Sequence, residues 1–130
     1  MSIPDILRNY RTIAVVGLSN DESRPAYSVS QYMQTAGYRI IPVNPDVTEV
    51  LGEKAYPTVA SIPEQVEIVD IFRRAENVPP VIDDAIAAGA KVVWMQSGIW
   101  HFEAAAKAEA AGLEVVMDRC IRTEHQRLLR

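Results

Sequence analysis

The chain is poor in the residues that hold small proteins together covalently or through metals. Its 130 residues include one cysteine and two histidines. The lone thiol, Cys120, excludes an intrachain disulfide framework. So few Cys and His, unclustered, give no ligand spacing for zinc. No apolar run approaches the roughly 18 residues of a bilayer crossing. Met1–Asn9 holds Pro4, Asp5 and Arg8 and lacks the apolar stretch and cleavage site of a secretory leader. A cytoplasmic protein with no membrane contact is expected. Basic runs are also missing beyond the pair Arg73–Arg74. The formal charge is −4 and the pI about 5.1, so nothing provides the basic face that duplex binding needs, and no nucleic-acid partner is expected. An anionic small ligand stays open, since a few arginines suffice locally whatever the net charge.

What is present is ordinary globular material, 48% hydrophobic and 23% charged. The length suits one core and is short for two ordinary domains, so residues 1–130 are expected to form a single domain. Short apolar runs alternate with longer amphipathic ones. Thr12–Gly17, Tyr38–Val43, Glu67–Phe72, Lys91–Met95 and Leu113–Met117 read as five strands, several apolar on both faces as in a covered parallel sheet. Helices are expected from Pro25 to about Ala36, from Asn77 to Ala88, from Phe102 to Ala111 and over the tail from Ile121 to Leu129. Ser61-Ile-Pro-Glu64 has the pattern of a capping box and predicts a further short helix. Leu51–Tyr56 reads as a connection or short edge strand. Three helices end in glycine just before a strand, at Gly37, Gly89 and Gly112, which is a repeated αβ joint. The pattern predicts an α/β, Rossmann-like three-layer α/β/α sandwich with a five-stranded, mainly parallel sheet in the order 3-2-1-4-5.

In such a sheet ligands bind beyond the carboxyl ends of the strands, where the strand order reverses. That edge collects Ser19, Asn20, Arg24, Asn44, Phe72, Arg73, Gln96, Ser97, Trp100, His101, Asp118 and Arg119. Loops are polar anyway, but the joints at the opposite edge, Thr35–Tyr38 and Ala87–Ala90, are small and plain. The first loop speaks against a dinucleotide. In G-x-G-x-x-G the second and third glycines admit a pyrophosphate against the helix start. Here those positions hold Ser19 and Glu22, and a carboxylate there repels the ligand. Ser19, Asn20 and Arg24 still offer hydroxyl, amide and guanidinium donors beside a helix N-terminus. The second strand ends Val43-Asn44-Pro45, and the first acid, Asp46, lies beyond the proline. A neutral rim tolerates a phosphorylated ribose better than the acid that NAD enzymes place there.

These residues carry a resemblance. Val16-Gly-Leu-Ser19, Gly37-Tyr-Arg39, Pro42-Val-Asn-Pro45, Leu51-Gly-Glu-Lys54, Ile71-Phe-Arg73, Val93-Trp-Met-Gln96 and Val116-Met-Asp-Arg-Cys120 occur in the order found in the CoA-binding domain family. The chain resembles both its small stand-alone bacterial members and the N-terminal domain of the succinyl-CoA synthetase α subunit. The resemblance implies coenzyme A, free or acylated, as the ligand. It implies that Gly17, Leu18, Ser19 and Asn20 wrap its phosphates, with Arg24 as charge partner. Val43, Asn44, Pro45 and Asp46 would border the adenosine, Phe72 and Arg73 would flank the nucleotide, and Met95, Gln96 and Ser97 would line the pantetheine path. One departure is the bulky Trp100-His101 after Gln96-Ser97-Gly98-Ile99, where stand-alone members often read Gln-x-Gly-Val.

Catalytic groups are scarce. By that resemblance, the phosphorylated histidine of the synthetases is expected in a second domain and not among these residues. Neither His101 nor His125 stands in a Ser/His/Asp spacing; His125 reads as a surface or packing residue and His101 as the opening of a helix. Cys120 follows the fifth strand beside Arg119, a setting that can lower a thiol pKa. A mixed disulfide with the CoA thiol and a small buried residue with an inert thiol are both open there. The first reading is therefore a CoA-binding module without chemistry of its own, a carrier, sensor or subunit. Alternatives are a small NAD(P)-binding oxidoreductase-like domain, an acyl-CoA-dependent enzyme, or an interaction protein that has lost its ligand. A homodimer is compatible with so small a domain.

Overall fold

The polypeptide folds by covering each apolar run on both sides, as a computed structural model describing residues 1–129 shows. The elements are α1 (Ile3–Asn9), β1 (Thr12–Val16), α2 (Pro25–Thr35), β2 (Arg39–Val43), β3 (Glu49–Val50), β4 (Glu53–Lys54), β5 (Ile68–Ile71), α3 (Val78–Ala87), β6 (Val92–Met95), α4 (Phe102–Ala110), β7 (Glu114–Val116) and α5 (Ile121–Leu128). The main sheet runs β2-β1-β5-β6-β7, with every pair parallel. Odd and even positions divide its side chains between two cores. Ala14, Val16, Val69, Ile71, Val93 and Met95 pack against α3 and α4. Ile13, Val15, Ile40, Ile68, Val92 and Trp94 pack against α1, α2 and α5. This is the Rossmann-like three-layer sandwich.

The sheet order has one refinement. Tyr56 forms a single parallel rung outside β2, opposite Val43, with Tyr56 N donating to Pro42 O at 3.0 Å and Asn44 N to Tyr56 O at 2.9 Å. Counted as the third strand, this rung gives the order 3-2-1-4-5 with β7 beyond it. The run Glu67–Phe72, third in the sequence reading, thus occupies the fourth place, between β1 and β6. All four residues of β5 are buried, and only an interior place covers such a strand on both faces and both edges. Pro42, which has no N–H, is accommodated in β2, next to the edge of the sheet.

Two other local readings change. The Ser61–Glu64 helix is instead a single 3-10 turn, Val59–Ser61, in which Thr58 caps and Ser61 answers. Glu64 is drawn away to Arg39, whose Nε and Nη2 lie 2.6 and 2.7 Å from its carboxylate oxygens. At the N-terminus α1 forms although only the lack of a leader had been read there. Its signal is Ser2 with Asp5, a reciprocal cap with Pro4 in the first turn.

α5 is fastened over α2 by a buried aromatic clasp. The Tyr32 hydroxyl and His125 Nδ1 are 2.8 Å apart, and the Tyr38 ring meets the imidazole edge-on at 5.6 Å. Arg11 lies 4.9 Å over the other side of the Tyr38 ring. Burial, and then the Arg11 charge, hold the His125 pKa below its ordinary value of 6.5. The folded chain therefore binds fewer protons there than the unfolded chain, and this contribution is lost as pH falls below 6.5. The excess stability of the wild type over His125→Gln should shrink as pH is lowered from about 7.5 to about 5.5, as read by scanning calorimetry.

The end of β1 is gripped from both sides. Gly17 N donates to Val43 O and Phe72 N to Val16 O, each at 2.9 Å. Gly17 has a φ of +97°, and a Cβ there would overlap the Phe72 carbonyl oxygen. Gly17→Ala should cost about 2 kcal/mol or more in unfolding free energy, through positive-φ strain plus backbone displacement; denaturant melts measure it.

Candidate functional site

Gly17 and Phe72 stand where the chain order reverses, since β1 leads outward to β2 and the later strands continue from β5. A shallow cleft opens above them. Its first part, about 340 Å³, is lined by Gly17, Ser19, Arg24, Asn44, Asp46 and Phe72 with Val47 and Arg73. A second part of about 400 Å³ continues past Pro25 and Ala26 on α2 to Gly98 and Ile99 beyond β6. A third, about 220 Å³, lies between Pro57–Val59 and α3, with Asn77, Val81 and Asp84 in its wall. Arg73 lines all three parts. No carboxylate pairs with it among the described residues.

The loop before α2 is shaped by its own polar groups. Asp21 Oδ1 accepts from the Ser23 amide at 3.0 Å and from the Ser23 hydroxyl at 2.5 Å, and Ser19 Oγ accepts from the Asp21 amide at 3.2 Å. The Ser23 bonds first, and Arg24 to a lesser degree, hold the Asp21 carboxyl below its usual range. Arg24 leans on Asp21 at 3.4 Å but is 73% exposed, so the contact is weak and exchangeable. Arg24 precedes α2 in extended conformation, and no side chain caps that helix end. The amide end of α2 stays available to an anion.

Two asparagines brace the loops. Asn20 Nδ2 donates to Glu49 O at 2.9 Å. Asn44 Nδ2 donates to Leu18 O at 3.2 Å, while its Oδ1 accepts from Asp46 N at 2.9 Å. Their amides set the spacing of the walls. Pro45 and Asp46 form an exposed rim.

The structure brings Gly17, Ser19, Arg24, Asn44, Asp46, Phe72 and Arg73 to one cleft. It places Leu18, Met95 and Gln96 in the interior, with exposures of 0, 0 and 4%, while Val43, 3% exposed, backs the third part of the cleft. Gln96 acts there as a brace, its Oε1 accepting from Ile121 N at 3.0 Å. Ser97 is exposed, and the wall beyond β6 is made by its neighbours Gly98 and Ile99. That wall is clamped from behind: Gly98 N donates to Asp118 Oδ1 at 2.6 Å, and Asp118 N to Ile99 O at 3.1 Å. The sequence reading missed the chamber bordered by Thr58 and Asn77. The available signal was Pro57-Thr58 directly after the outer rung, facing the helix that follows β5. His101 Nδ1 accepts from Ala104 N at 3.1 Å, so this histidine caps α4. No group of three or more His, Cys, Asp or Glu could hold a metal among the described residues, and no described helix is long and apolar enough to cross a membrane.

Known proteins with this arrangement agree in family. The model of the CoA binding domain matches residues 11–126. The Bacillus subtilis protein YneT is 42% identical over 123 residues, covering 95% of this chain and 91% of YneT. A solved structure from Pyrococcus horikoshii OT3 superposes with a TM-score of 0.95 at 43% identity, covering 100% of this chain and 94% of that one. The ADP-forming acetate–CoA ligase II of Archaeoglobus fulgidus is 30% identical over 127 residues, 93% of this chain, which spans only 19% of the ligase. Ser19, Arg24, Asn44, Phe72 and Arg73 thus surround the reversal point of a fold, and an ordered set of motifs, that place this chain in the CoA-binding domain family.

Proposed function

We propose that the chain binds coenzyme A, free or acylated, in the joined clefts and serves as a carrier, sensor or subunit with no catalytic machinery of its own. The observation that carries the reading is the convergence of Ser19, Arg24, Asn44 and Arg73 on one cleft over the Gly17–Phe72 contact. The donor set fits the ligand. Arg24, Arg73, the Ser19 hydroxyl and the open amide end of α2 supply charge and hydrogen bonds for several phosphates. The rim Val43-Asn44-Pro45-Asp46 borders the adenosine, with Asn44 as a neutral brace. Phe72 offers a ring edge beside the nucleotide. Gly17, Leu18 and Asn20 shape the loop through their backbone and its brace. The pantetheine arm follows Ser97, Gly98 and Ile99, with Met95 and Gln96 supporting that wall from below. When bound, coenzyme A supplies a thiol that carries acyl groups as thioesters.

Support for a binding role comes from the employment of the titratable groups. His101 caps α4 and His125 is locked in the clasp, which leaves each histidine engaged in a structural bond. The chain spans 19% of the A. fulgidus ligase, and the role proposed is the binding share of such a protein.

Titration calorimetry with CoA, desulfo-CoA and NAD separates the readings. Binding of both CoA forms without NAD is expected; NAD binding alone would overturn the assignment, and no binding would leave a fold that has lost its ligand. Arg24→Ala should weaken CoA binding by roughly 1.5–3 kcal/mol, the worth of a hydrogen bond to a charged group. Arg73→Ala should weaken it more, since Arg73 borders every part of the cleft and is not shared with a carboxylate. An unchanged affinity in both would place the phosphates elsewhere.

A further inference from the structure

The buried polar and charged residues are Ser30, Asp70, Gln96 and His125. Ser30 Oγ and Asp70 Oδ1 have no hydrogen-bond partner among the described residues. Asp70 is 1% exposed and sits in β5 in register with Val15 and Trp94, so it points to the face covered by α2 and α5. On that face the Trp94 indole donates to Arg119 O at 2.8 Å, and Gln96 holds Ile121 N. The residue between those two anchors is Cys120, half-buried and packed into the same cluster. An unpartnered carboxyl is thus directed beneath the one thiol of the chain.

The surroundings of the sulfur favour charge. Burial pushes the Cys120 thiol up, but the Thr123 amide and hydroxyl, the Gln96 amide and the Arg122 N–H outweigh it, and the thiol lies below its ordinary range. Asp70 is held well above the carboxylate range by burial first and by the Cys120 thiolate second. The two groups are coupled: charge on the sulfur favours the proton on the carboxyl.

We propose that Cys120 is a thiol–disulfide exchange site that captures the thiol arm of coenzyme A as a mixed disulfide, with Asp70 as the proton store beneath it. This rests on the CoA reading of the cleft. The clamp between Gly98–Ile99 and Asp118 ties the cleft wall to the strand end two residues before Cys120. Ala26 lines the cleft and packs in the same cluster as Cys120. In the exchange the Cys120 thiolate attacks one sulfur of CoA disulfide. A Cys120–S–S–CoA bond forms, the original S–S bond breaks, and one CoA thiolate departs and is protonated from solvent. The CoA disulfide is the only oxidant required. Once the sulfur is neutral, the like charge beside Asp70 is gone and the carboxyl holds its proton less tightly, by burial alone. Asp70 is a positioning residue and touches no substrate.

Intact-mass analysis of the full chain with CoA disulfide tests this. The wild type should gain one CoA moiety, removed by reductant, and C120S none. Excess desulfo-CoA should slow the adduct at least about fivefold, and glutathione disulfide should react at least about tenfold more slowly. The wild-type rate should rise with pH in two steps, because two coupled groups ionise in turn, and D70N in one. Desulfo-CoA binding to C120S and D70N reports that both variants fold. No adduct on a wild-type protein that binds desulfo-CoA overturns the exchange site and leaves the cleft reading intact. Failure of desulfo-CoA to bind the wild type overturns the cleft reading, and with it capture directed by the cleft. Equal rates with both disulfides also overturn directed capture, and identical pH profiles remove Asp70 from the site.

Discussion

The contact between Gly17 and the Phe72 carbonyl is the constraint on which the remaining geometry depends. Parallel strands lie under 5 Å apart, and where two of them end side by side, any loop leaving one must clear the backbone of the other. Without a side chain at Gly17, the loop turns directly over β5 and the cleft floor is bare backbone. The loops on either side, Leu18–Arg24 and Asn44–Asp46, are then close enough to be tied by the Asn44 amide. The width of the site follows from a hydrogen bond, and the hydrogen bond from a missing methyl group.

Electrostatically the site opposes the molecule around it. The chain is acidic overall, and an acid, Asp21, sits in the loop before α2 itself. That acid is already engaged by Ser23 and Arg24, and such exposed pairs are worth little in water. A multiply charged ligand competes for Arg24 at small cost. Arg73 meets no such competition and lies where the three parts of the cleft join. Net charge therefore says little about what the strand tips attract, whereas the local inventory of donors says a great deal.

The fold was largely legible because its signals are local. Runs apolar on both faces, helix-ending glycines and Pro25 at a helix start each act within a few residues. Less could be read where long-range competition decides. Glu64 reads as a capping residue until Arg39, distant in sequence, claims it. The place of β5 could not be taken from its own composition, since a single rung at Tyr56 fills the outer position with one residue of pairing. In the site, polar type and strand-tip position identified Ser19, Arg24, Asn44, Phe72 and Arg73. Whether a side chain faces the cleft or the core depends on the phase of the strand end. Met95 and Gln96 turn inward for that reason, and Gly98 and Ile99 take the wall.

The two cores of the sheet are not equivalent. The one under α3 and α4 is apolar throughout, as expected where burial alone is required. The other, under α1, α2 and α5, holds the four buried polar residues among those described, and two of their atoms lack partners there. Leaving a buried polar atom unbonded costs roughly 1–3 kcal/mol, a substantial part of the marginal stability of a small domain. An apolar residue at position 70 would pack between Val15 and Trp94 without that cost. Random polarity would be spread over both faces; here it gathers on the one that carries the free thiol and ends at the amide terminus of α2. Stability has been given up on the side of the sheet where chemistry is available.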